Sequence, residues 1–171
     1  MSSSSASSDM AIEPTLPYDI AIVFGRFNIL HRGHTTLFEA MARRAQMVFV
    51  GISDNEKNID PRHRVRVIKE AMNSMSIPFR VITSAHPFEC FDKVNKEFPD
   101  SNIISMFGED QYKLGKAAER VYGWDTDVIP RLTSSTAIRS LIDNEEWDVL
   151  ARLVPSCIFN DVIQLRKLEN N

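Results

Sequence analysis

The stretch 20–34 constrains the fold of this chain more than any other part of the sequence. Ile20–Phe24 is a continuous apolar run that stops at Gly25, and two histidines follow within ten residues. An uninterrupted apolar run is typical of a strand buried on both faces of a parallel sheet. Apolar residues at helical spacing then predict a helix over Thr35–Arg44. The sequence therefore predicts a buried strand, a histidine-containing loop and a helix in succession.

Strand-like and helix-like segments alternate along the rest of the chain. Further strands are predicted over Met47–Ile52, Phe79–Thr83, Ile103–Phe107 and Asp127–Ile129. Further helices are predicted from Pro61 onward and over Phe91–Phe98, Gln111–Tyr122, Ser135–Ile142, Glu146–Leu153 and Ser156–Leu168. Such alternation is typical of α/β proteins with right-handed crossovers. We expect a Rossmann-like, doubly wound parallel sheet of about five strands with C-terminal helices.

Composition predicts one domain with a polar tail. The chain has 171 residues, and residues 1–17 are rich in serine and carry two prolines. We expect 1–17 to be a disordered tail and 18–171 to be a single domain. The formal charge of −3 argues against a nucleic-acid surface, and no apolar run approaches the length of a membrane span. Cys90 and Cys157 show no zinc-binding spacing, which favours a reduced, cytoplasmic setting.

Phosphate-binding side chains follow three of the predicted strands. His31 and His34 lie near the start of a helix, whose backbone N–H groups and partial positive charge favour anions. Gly33 between them lets the backbone approach a ligand closely. A second helix start, Thr133–Arg139, carries hydroxyls and an arginine, and Gly108–Asp110 follows another strand. Because the carboxyl ends of parallel strands share one edge of a sheet, we expect these groups to meet there.

Two motifs resemble those of the nucleotidylyltransferase superfamily, whose signature is H-x-G-H within G-x-F-x-x-x-H-x-G-H. Here that motif consists of Gly25, Phe27, His31, Gly33 and His34. The second superfamily motif resembles S-S/T-T-x-I-R, and the matching residues are Ser134, Ser135, Thr136, Ile138 and Arg139. The resemblance extends over roughly 19–155, and the two motifs occur in the order found in the family.

The resemblance implies transfer of a nucleotidyl group from a nucleoside triphosphate to a substrate phosphate, with release of pyrophosphate. The implied catalytic residues are His31, His34, Arg26 and Arg139. The implied nucleotide-binding residues are Gly25, Phe27, Asn28, Gly33, Gly108, Asp110, Ser134, Ser135 and Thr136. Mg²⁺ is expected to arrive with the triphosphate, so no residue is assigned to a metal. Relatives of this kind are often oligomers, so the resemblance allows a homo-oligomer.

Two branches of the superfamily share features with this chain. Gly25–Phe27 and the Trp147–Pro155 stretch resemble compact nicotinamide-mononucleotide adenylyltransferases, which implies ATP as donor and NAD as product. Asn28–His31 is closer to the F-D-L-L-H of cytidylyltransferases, so CTP with a small phospho-alcohol is the alternative. Phosphopantetheine adenylyl transfer is another alternative. Outside catalysis, the chain could be a nucleotide-binding module.

Three further residues are candidate contacts to the second substrate. Lys57 and Arg62 lie in or beside a basic cluster at the start of a predicted helix and could gather the acceptor's phosphate. A solvated helix face is the structural alternative for this cluster. Trp124 could stack on a ring of the acceptor, or it could pack in the core.

Overall fold

Five parallel strands form one sheet in the computed structural model, which describes residues 16–55 and 57–171. The strands are β1 (Tyr18–Gly25), β2 (Ala45–Ser53), β3 (Phe79–Ser84), β4 (Ile103–Gly108) and β5 (Asp125–Ile129). Their order in the sheet is β3-β2-β1-β4-β5, and every neighbouring pair is parallel. The predicted Rossmann-like, doubly wound sheet is therefore confirmed.

Helices connect the strands and close the domain. They are α1 (Arg32–Ala42), α2 (Pro61–Ser74), α3 (Pro87–Glu97), α4 (Tyr112–Tyr122), α5 (Ser135–Asp143), α6 (Trp147–Leu153) and α7 (Phe159–Glu169). Short 3₁₀ turns at Glu109–Gln111 and Ser156–Ile158 precede α4 and α7. The predicted C-terminal helices thus correspond to α5, α6 and α7.

Two helices begin earlier than the sequence pattern predicted, and both are capped by histidine. Helix α1 begins at Arg32 rather than at Thr35, because the His31 Nδ1 accepts a hydrogen bond from the Gly33 N–H at 3.0 Å. Helix α3 begins at Pro87 rather than at Phe91, and the His86 Nδ1 accepts from the Phe88 N–H at 3.1 Å. Histidine is not among the residues that usually signal a helix N-cap, so the sequence pattern gave no indication of the α1 start. Pro87 at the first position of α3 was a signal that the prediction missed.

The crossover between β1 and β4 positions the candidate site. From β1 the chain builds β2 and β3 on one side and then returns to place β4 on the other side of β1. Loops that leave the carboxyl ends of β1 and β4 therefore diverge, and this divergence opens a crevice. At the opposite edge of the sheet, the Tyr18 hydroxyl donates to Asp125 at 2.6 Å and Arg44 pairs with Asp127. These contacts tie the edge strand β5 to β1 and to the end of α1.

The predicted disordered tail, 1–17, lies outside the described residues except for Leu16 and Pro17. The domain limits therefore remain a prediction. Across 16–55 and 57–171, no helix combines the length and the apolar character that crossing a membrane requires.

A glycine in the centre of β2 is required by core packing. A Cβ at Gly51 would lie 2.6 Å from the Phe24 ring and 2.9 Å from the Cys90 sulfur. We expect Gly51→Ala to lower the free energy of unfolding by about 1–3 kcal/mol, because overpacking a dense core forces neighbours to shift. Chemical denaturation monitored by circular dichroism measures this change.

Gly108→Ala is the matched control, because its Cβ would contact only the exposed end of Asp110, at 3.1 Å. A Gly51→Ala variant as stable as Gly108→Ala would contradict this account of the core.

Candidate active site

A cavity of about 380 Å³ opens at the carboxyl ends of β1, β4 and β5. Most of the predicted site residues line it: Gly25, Arg26, Phe27, Asn28, His31, Gly33, His34, Gly108, Asp110, Ser135 and Arg139. Residues that the sequence analysis did not assign, including Gln111, Arg131 and Thr133, also line it. The structure therefore brings the two motifs and the loop after β4 to one site.

The two histidines form a stacked pair with a defined tautomer. Their ring centroids are 3.9 Å apart and the planes differ by 23°. The His31 Nδ1 accepts from the Gly33 N–H, and the His34 Nδ1 accepts from the His31 N–H at 3.3 Å. A neutral imidazole that accepts at Nδ1 carries its proton on Nε2. Each ring therefore keeps one Nε2–H donor for a ligand.

Gly33 is required by the histidine pair. A Cβ at Gly33 would lie 2.7 Å from Cε1 and 2.8 Å from Nδ1 of the His31 ring, so the ring occupies the space that a side chain would need. Gly33 also lines the cavity, and close approach of a ligand to its backbone stays a prediction.

Both imidazoles are neutral at pH 7. Burial, followed by the positive charges of Arg131 and Arg139, lowers the pKa of His31 to about 4. Burial also holds the pKa of His34 well below its usual range, and the charges of His31 and Arg131 act in the same direction. The site is thus a positively charged cavity in which the imidazoles act as neutral hydrogen-bond donors.

The Phe27 side chain packs against the histidine pair through His34. Its ring meets His34 edge-on, with centroids 5.1 Å apart, and is tilted against Phe38 at 5.8 Å. Its backbone φ is +51°, which is uncommon for a residue with a bulky side chain. A strained conformation persists only where its surroundings enforce it, and here the ring is buried under the histidines. Phe27 therefore packs between His34 and the core residue Phe38 and restricts the position of the His34 ring.

A buried arginine ties the β1 loop to the start of α2. Arg64 is fully buried, and its Nε and Nη1 donate to the carbonyl oxygens of Ile59 and Arg26, each at 2.7 Å. Its Nη2 has no hydrogen-bond partner among residues 16–55 and 57–171. Burial lowers the pKa of Arg64. A charged residue at a helix start carries no local signal of burial, so the sequence did not reveal this role of Arg64.

Asn28 reinforces the same connection. Its Nδ2 donates to the Asn58 side chain at 3.1 Å, and its Oδ1 accepts from the Ile59 N–H at 3.3 Å. The side chain lines the cavity while its amide group is engaged with the β2–α2 loop. Asn28 thus contributes to the shape of the cavity through this loop.

The second motif contributes a helix start and a cation. Ser134 is the N-cap of α5, and its hydroxyl accepts from the Ala137 N–H at 3.1 Å. Ser135 and Arg139 line the cavity, whereas Ser134 and the exposed Thr136 do not. Arg139 forms a two-pronged ion pair with Glu169 of α7, with a shortest distance of 2.7 Å. No sequence pattern links these two residues.

An ion pair borders the mouth of the cavity. The Arg131 Nη2 donates to Asp110 at 2.8 Å, and the Arg131 backbone N–H donates to Glu109 at 3.1 Å. Asp110 lies within the 3₁₀ turn after β4 and does not cap a helix. The loops after β4 and β5 are therefore joined through Arg131.

The three candidate contacts to a second substrate lie outside the residues that line this cavity. Lys57 is exposed in the β2–α2 loop, and Arg62 is exposed and bonded to the N-cap Asp60. Trp124 is 6% exposed, since it stacks on Tyr122 at 4.5 Å and meets Phe91 edge-on. These positions agree with the structural alternatives for Arg62 and Trp124, and contact with a second substrate stays a prediction.

The model of the cytidylyltransferase-like family matches residues 22–144, which include both motifs and the strands β2 to β5. The chain belongs to the cytidylyltransferase-like family. The predicted superfamily resemblance is thereby confirmed.

Two adenylyltransferases are similar to this member of the cytidylyltransferase-like family. A nicotinamide-nucleotide adenylyltransferase of Methanocorpusculum labreanum is 34% identical over 64 residues, which are 34% of this chain and 38% of that protein. The alignment thus spans well under half of the curated relative. Plasmodium falciparum nicotinic acid mononucleotide adenylyltransferase has been solved with APC, at a TM-score of 0.70, and with NaAD, at 0.68. Each structure is 12% identical and covers 90% of this chain and 98% of its own, a similarity of fold.

No three His, Cys, Asp or Glu side chains are grouped to hold a metal ion within 16–55 and 57–171. The polar groups at the cavity are instead imidazoles, hydroxyls and arginines, together with Asp110. This set suits a polyanion, because hydrogen-bond donors and cations outnumber carboxylates.

The lowered histidine pKa values make stability depend on pH. A folded-state pKa of about 4 for His31, against 6.5 in the unfolded chain, gives stability that is complete above pH 6.5 and is lost as pH falls toward 4. We expect the free energy of unfolding of the ligand-free protein to fall by about 1–2 kcal/mol from His31 alone between pH 6.5 and 5. Denaturant titrations at a series of pH values measure this.

His31→Asn keeps a capping oxygen and should make the profile shallower in this range, leaving the contribution of His34. His63→Asn, on the exposed face of α2, should leave it unchanged. A parent protein of constant stability from pH 7 to 5 would contradict the assignment of a buried neutral His31.

Proposed function

We propose that this chain is an adenylyltransferase of NAD biosynthesis. It transfers AMP from ATP to the phosphate of nicotinamide mononucleotide and releases pyrophosphate. The observation that carries the proposal is the cavity at the β1–β4 crossover, where two neutral imidazoles face a helix start and two arginines. The named activities of the Methanocorpusculum and Plasmodium proteins support AMP transfer and a pyridine mononucleotide as acceptor.

The chemistry is a direct displacement at the α-phosphorus. An oxygen of the acceptor phosphate forms a new P–O bond to the α-phosphorus, and the bond to the oxygen that bridges the α- and β-phosphates breaks. The bridging oxygen leaves with the electron pair as part of pyrophosphate. The reaction requires no nucleophile from the protein, so catalysis consists of positioning and of stabilising the developing charge.

The imidazole pair is suited to this task because it donates without titrating. Each Nε2–H can hydrogen-bond a phosphate oxygen, and the low pKa of His31 keeps this donor neutral over the physiological range. We assign His31 and His34 to the oxygen that leaves, where negative charge grows in the transition state. Neutral donors add little to ground-state binding compared with cations, so their contribution is concentrated in the transition state.

The β- and γ-phosphates are assigned to the other side of the cavity. Ser135 lies at the start of α5, where free backbone N–H groups and the helix dipole favour anions. Arg139 lies on the next turn of that helix and supplies a guanidinium group to the cavity. Arg26 follows β1 and is exposed at the cavity, where it can meet the phosphate of the acceptor.

Mg²⁺ enters with the triphosphate as part of the nucleotide substrate. The ion neutralises phosphate charge, and because it keeps most of its water ligands it needs few from the protein. The donor set of the cavity fits a Mg²⁺–nucleotide, since the arginines, helix start and imidazoles contact phosphate rather than metal. We place the reaction in the cytoplasm, where free thiols such as Cys90 and Cys157 persist.

Pyrophosphate release with defined substrate pairs tests the proposal. With Mg²⁺, ATP and nicotinamide mononucleotide should yield equal amounts of pyrophosphate and NAD, whereas CTP with the same acceptor should yield neither. Nicotinic acid mononucleotide in parallel reports the acceptor preference. Release only with CTP and a small phospho-alcohol would reject the acceptor and the donor but keep the reaction class. Binding of ATP without release for any pair would favour a binding module.

Loss of an imidazole donor should slow the chemical step. We expect His31→Asn and His34→Ala each to lower kcat by roughly 10²-fold or more, as removal of one preorganised donor typically does. Steady-state kinetics of NAD formation measure the change. His86→Asn is a matched control, because His86 caps α3 through Nδ1 as His31 caps α1 but lies outside the cavity. Parent-like turnover in either site variant would refute the proposed role of the imidazoles.

A further inference from the structure

Arg139 presents one edge of its guanidinium to a carboxylate and leaves another nitrogen free. Its Nε donates to Glu169 at 2.9 Å and its Nη2 donates to the same carboxylate at 2.7 Å. In the described part of the chain, the Arg139 Nη1 makes no hydrogen bond to a protein atom. A guanidinium held at two nitrogens is fixed in plane and direction, because the group is rigid and flat.

Glu169 is itself held firmly. Its side chain is 13% exposed, and its Oε1 also accepts from the Arg166 Nη1 at 3.1 Å. Burial alone would raise the pKa of Glu169, but the hydrogen bonds and charges of Arg139 and Arg166 outweigh it and lower the pKa. The carboxylate is therefore ionised at neutral pH.

A second pair completes a four-residue ionic network. Arg166 donates to Asp143 through Nε at 3.0 Å and through Nη2 at 2.7 Å. Asp143 and Arg139 lie one turn apart on α5, while Arg166 and Glu169 lie one turn apart on α7. Two cations and two anions alternate, so the network has no net charge. It joins the last helix to the helix that begins at the cavity.

We propose that Glu169 is a positioning residue for the triphosphate, acting through Arg139; this inference rests on the proposed function. Glu169 holds the Arg139 guanidinium by its Nε–Nη2 edge, so that Nη1 is directed to a phosphate oxygen before the nucleotide binds. A free arginine side chain loses considerable rotamer freedom when a ligand immobilises it. In this chain that ordering is already complete in the folded protein.

The Arg139–Glu169 contact reaches outside the part of the chain that matches the family model. It lies at the end of α7, beyond residues 22–144 that match the family model and beyond the two motifs. The C-terminal helix therefore contributes to the nucleotide site through one side chain. Glu169 does not pair with Arg139 alone, because Arg166 shares the same carboxylate.

The test compares two substitutions that remove different carboxylates of the network, one bonded to Arg139 and one not. Glu169→Gln removes the charge that holds Arg139, whereas Asp143→Asn cuts only the contact to Arg166. Calorimetry measures the Kd for Mg²⁺–ATP in the full chain, without an acceptor, and NAD formation gives kcat and KM. We expect Glu169→Gln to weaken ATP binding about tenfold, the size of one lost charge-assisted contact. Asp143→Asn should bind ATP like the parent.

A double-mutant cycle separates positioning from a general structural effect. In an Arg139→Ala background, Glu169→Gln should change the Kd no further, because the only route by which it acts has been removed. Equal weakening in both backgrounds would mean that α7 has been disturbed as a whole, and it would overturn the inference. Tighter binding by Glu169→Gln would also overturn it, because Glu169 would then compete with phosphate for Arg139.

The outcomes also distinguish this inference from the proposed function. A parent that binds Mg²⁺–ATP but forms no product with any acceptor refutes the proposed reaction, and the Kd values still decide the role of Glu169. A parent that forms NAD while Glu169→Gln binds ATP unchanged refutes the positioning role alone. A parent that binds no nucleoside triphosphate refutes both.

Discussion

The hydrogen bond from the Gly33 N–H to the His31 imidazole is the contact on which the rest of this site depends. It caps α1 and so sets where the helix begins. It engages Nδ1 and so leaves the proton on Nε2, facing a ligand. It also brings the ring so close to the backbone that only glycine fits at position 33. One contact thus determines the helix start, the tautomer and the residue between the histidines.

The electrostatics of the cavity divide two tasks between different groups. Burial and nearby arginines keep the imidazoles neutral, so they donate hydrogen bonds without carrying charge. Positive charge comes from Arg139, at the start of α5, and from Arg131 at the mouth. The proposed nucleotidyl transfer needs both neutral donors and cations. The cations hold the triphosphate, while the neutral donors stabilise the charge that grows on the leaving oxygen in the transition state. Glu169, at the end of the last helix, accepts hydrogen bonds from Arg139 and so links that helix to the cavity.

Much of the fold, and the two motifs that line the cavity, could be predicted from the sequence. The apolar runs of β1, β2 and β4 predicted a parallel sheet, because strands buried on both faces leave a continuous pattern. The early start of α1 could not be predicted, since a histidine cap gives no usual signal, whereas Pro87 marks the start of α3. The burial of Arg64 and the pairing of Arg139 with Glu169 depend on contacts between residues far apart in sequence. Only the fold brings them together.

Exchange of labelled pyrophosphate into ATP tests the central claim most directly, because it reports how the nucleotidyl group is transferred. With Mg²⁺ and ATP, direct displacement predicts label in ATP only when nicotinamide mononucleotide or the dinucleotide product is present. The reason is that no side chain carries the nucleotidyl group. Exchange without any acceptor would reveal a covalent nucleotidyl-enzyme and would contradict a mechanism built on positioning. Absence of exchange even with acceptor would contradict the reaction itself.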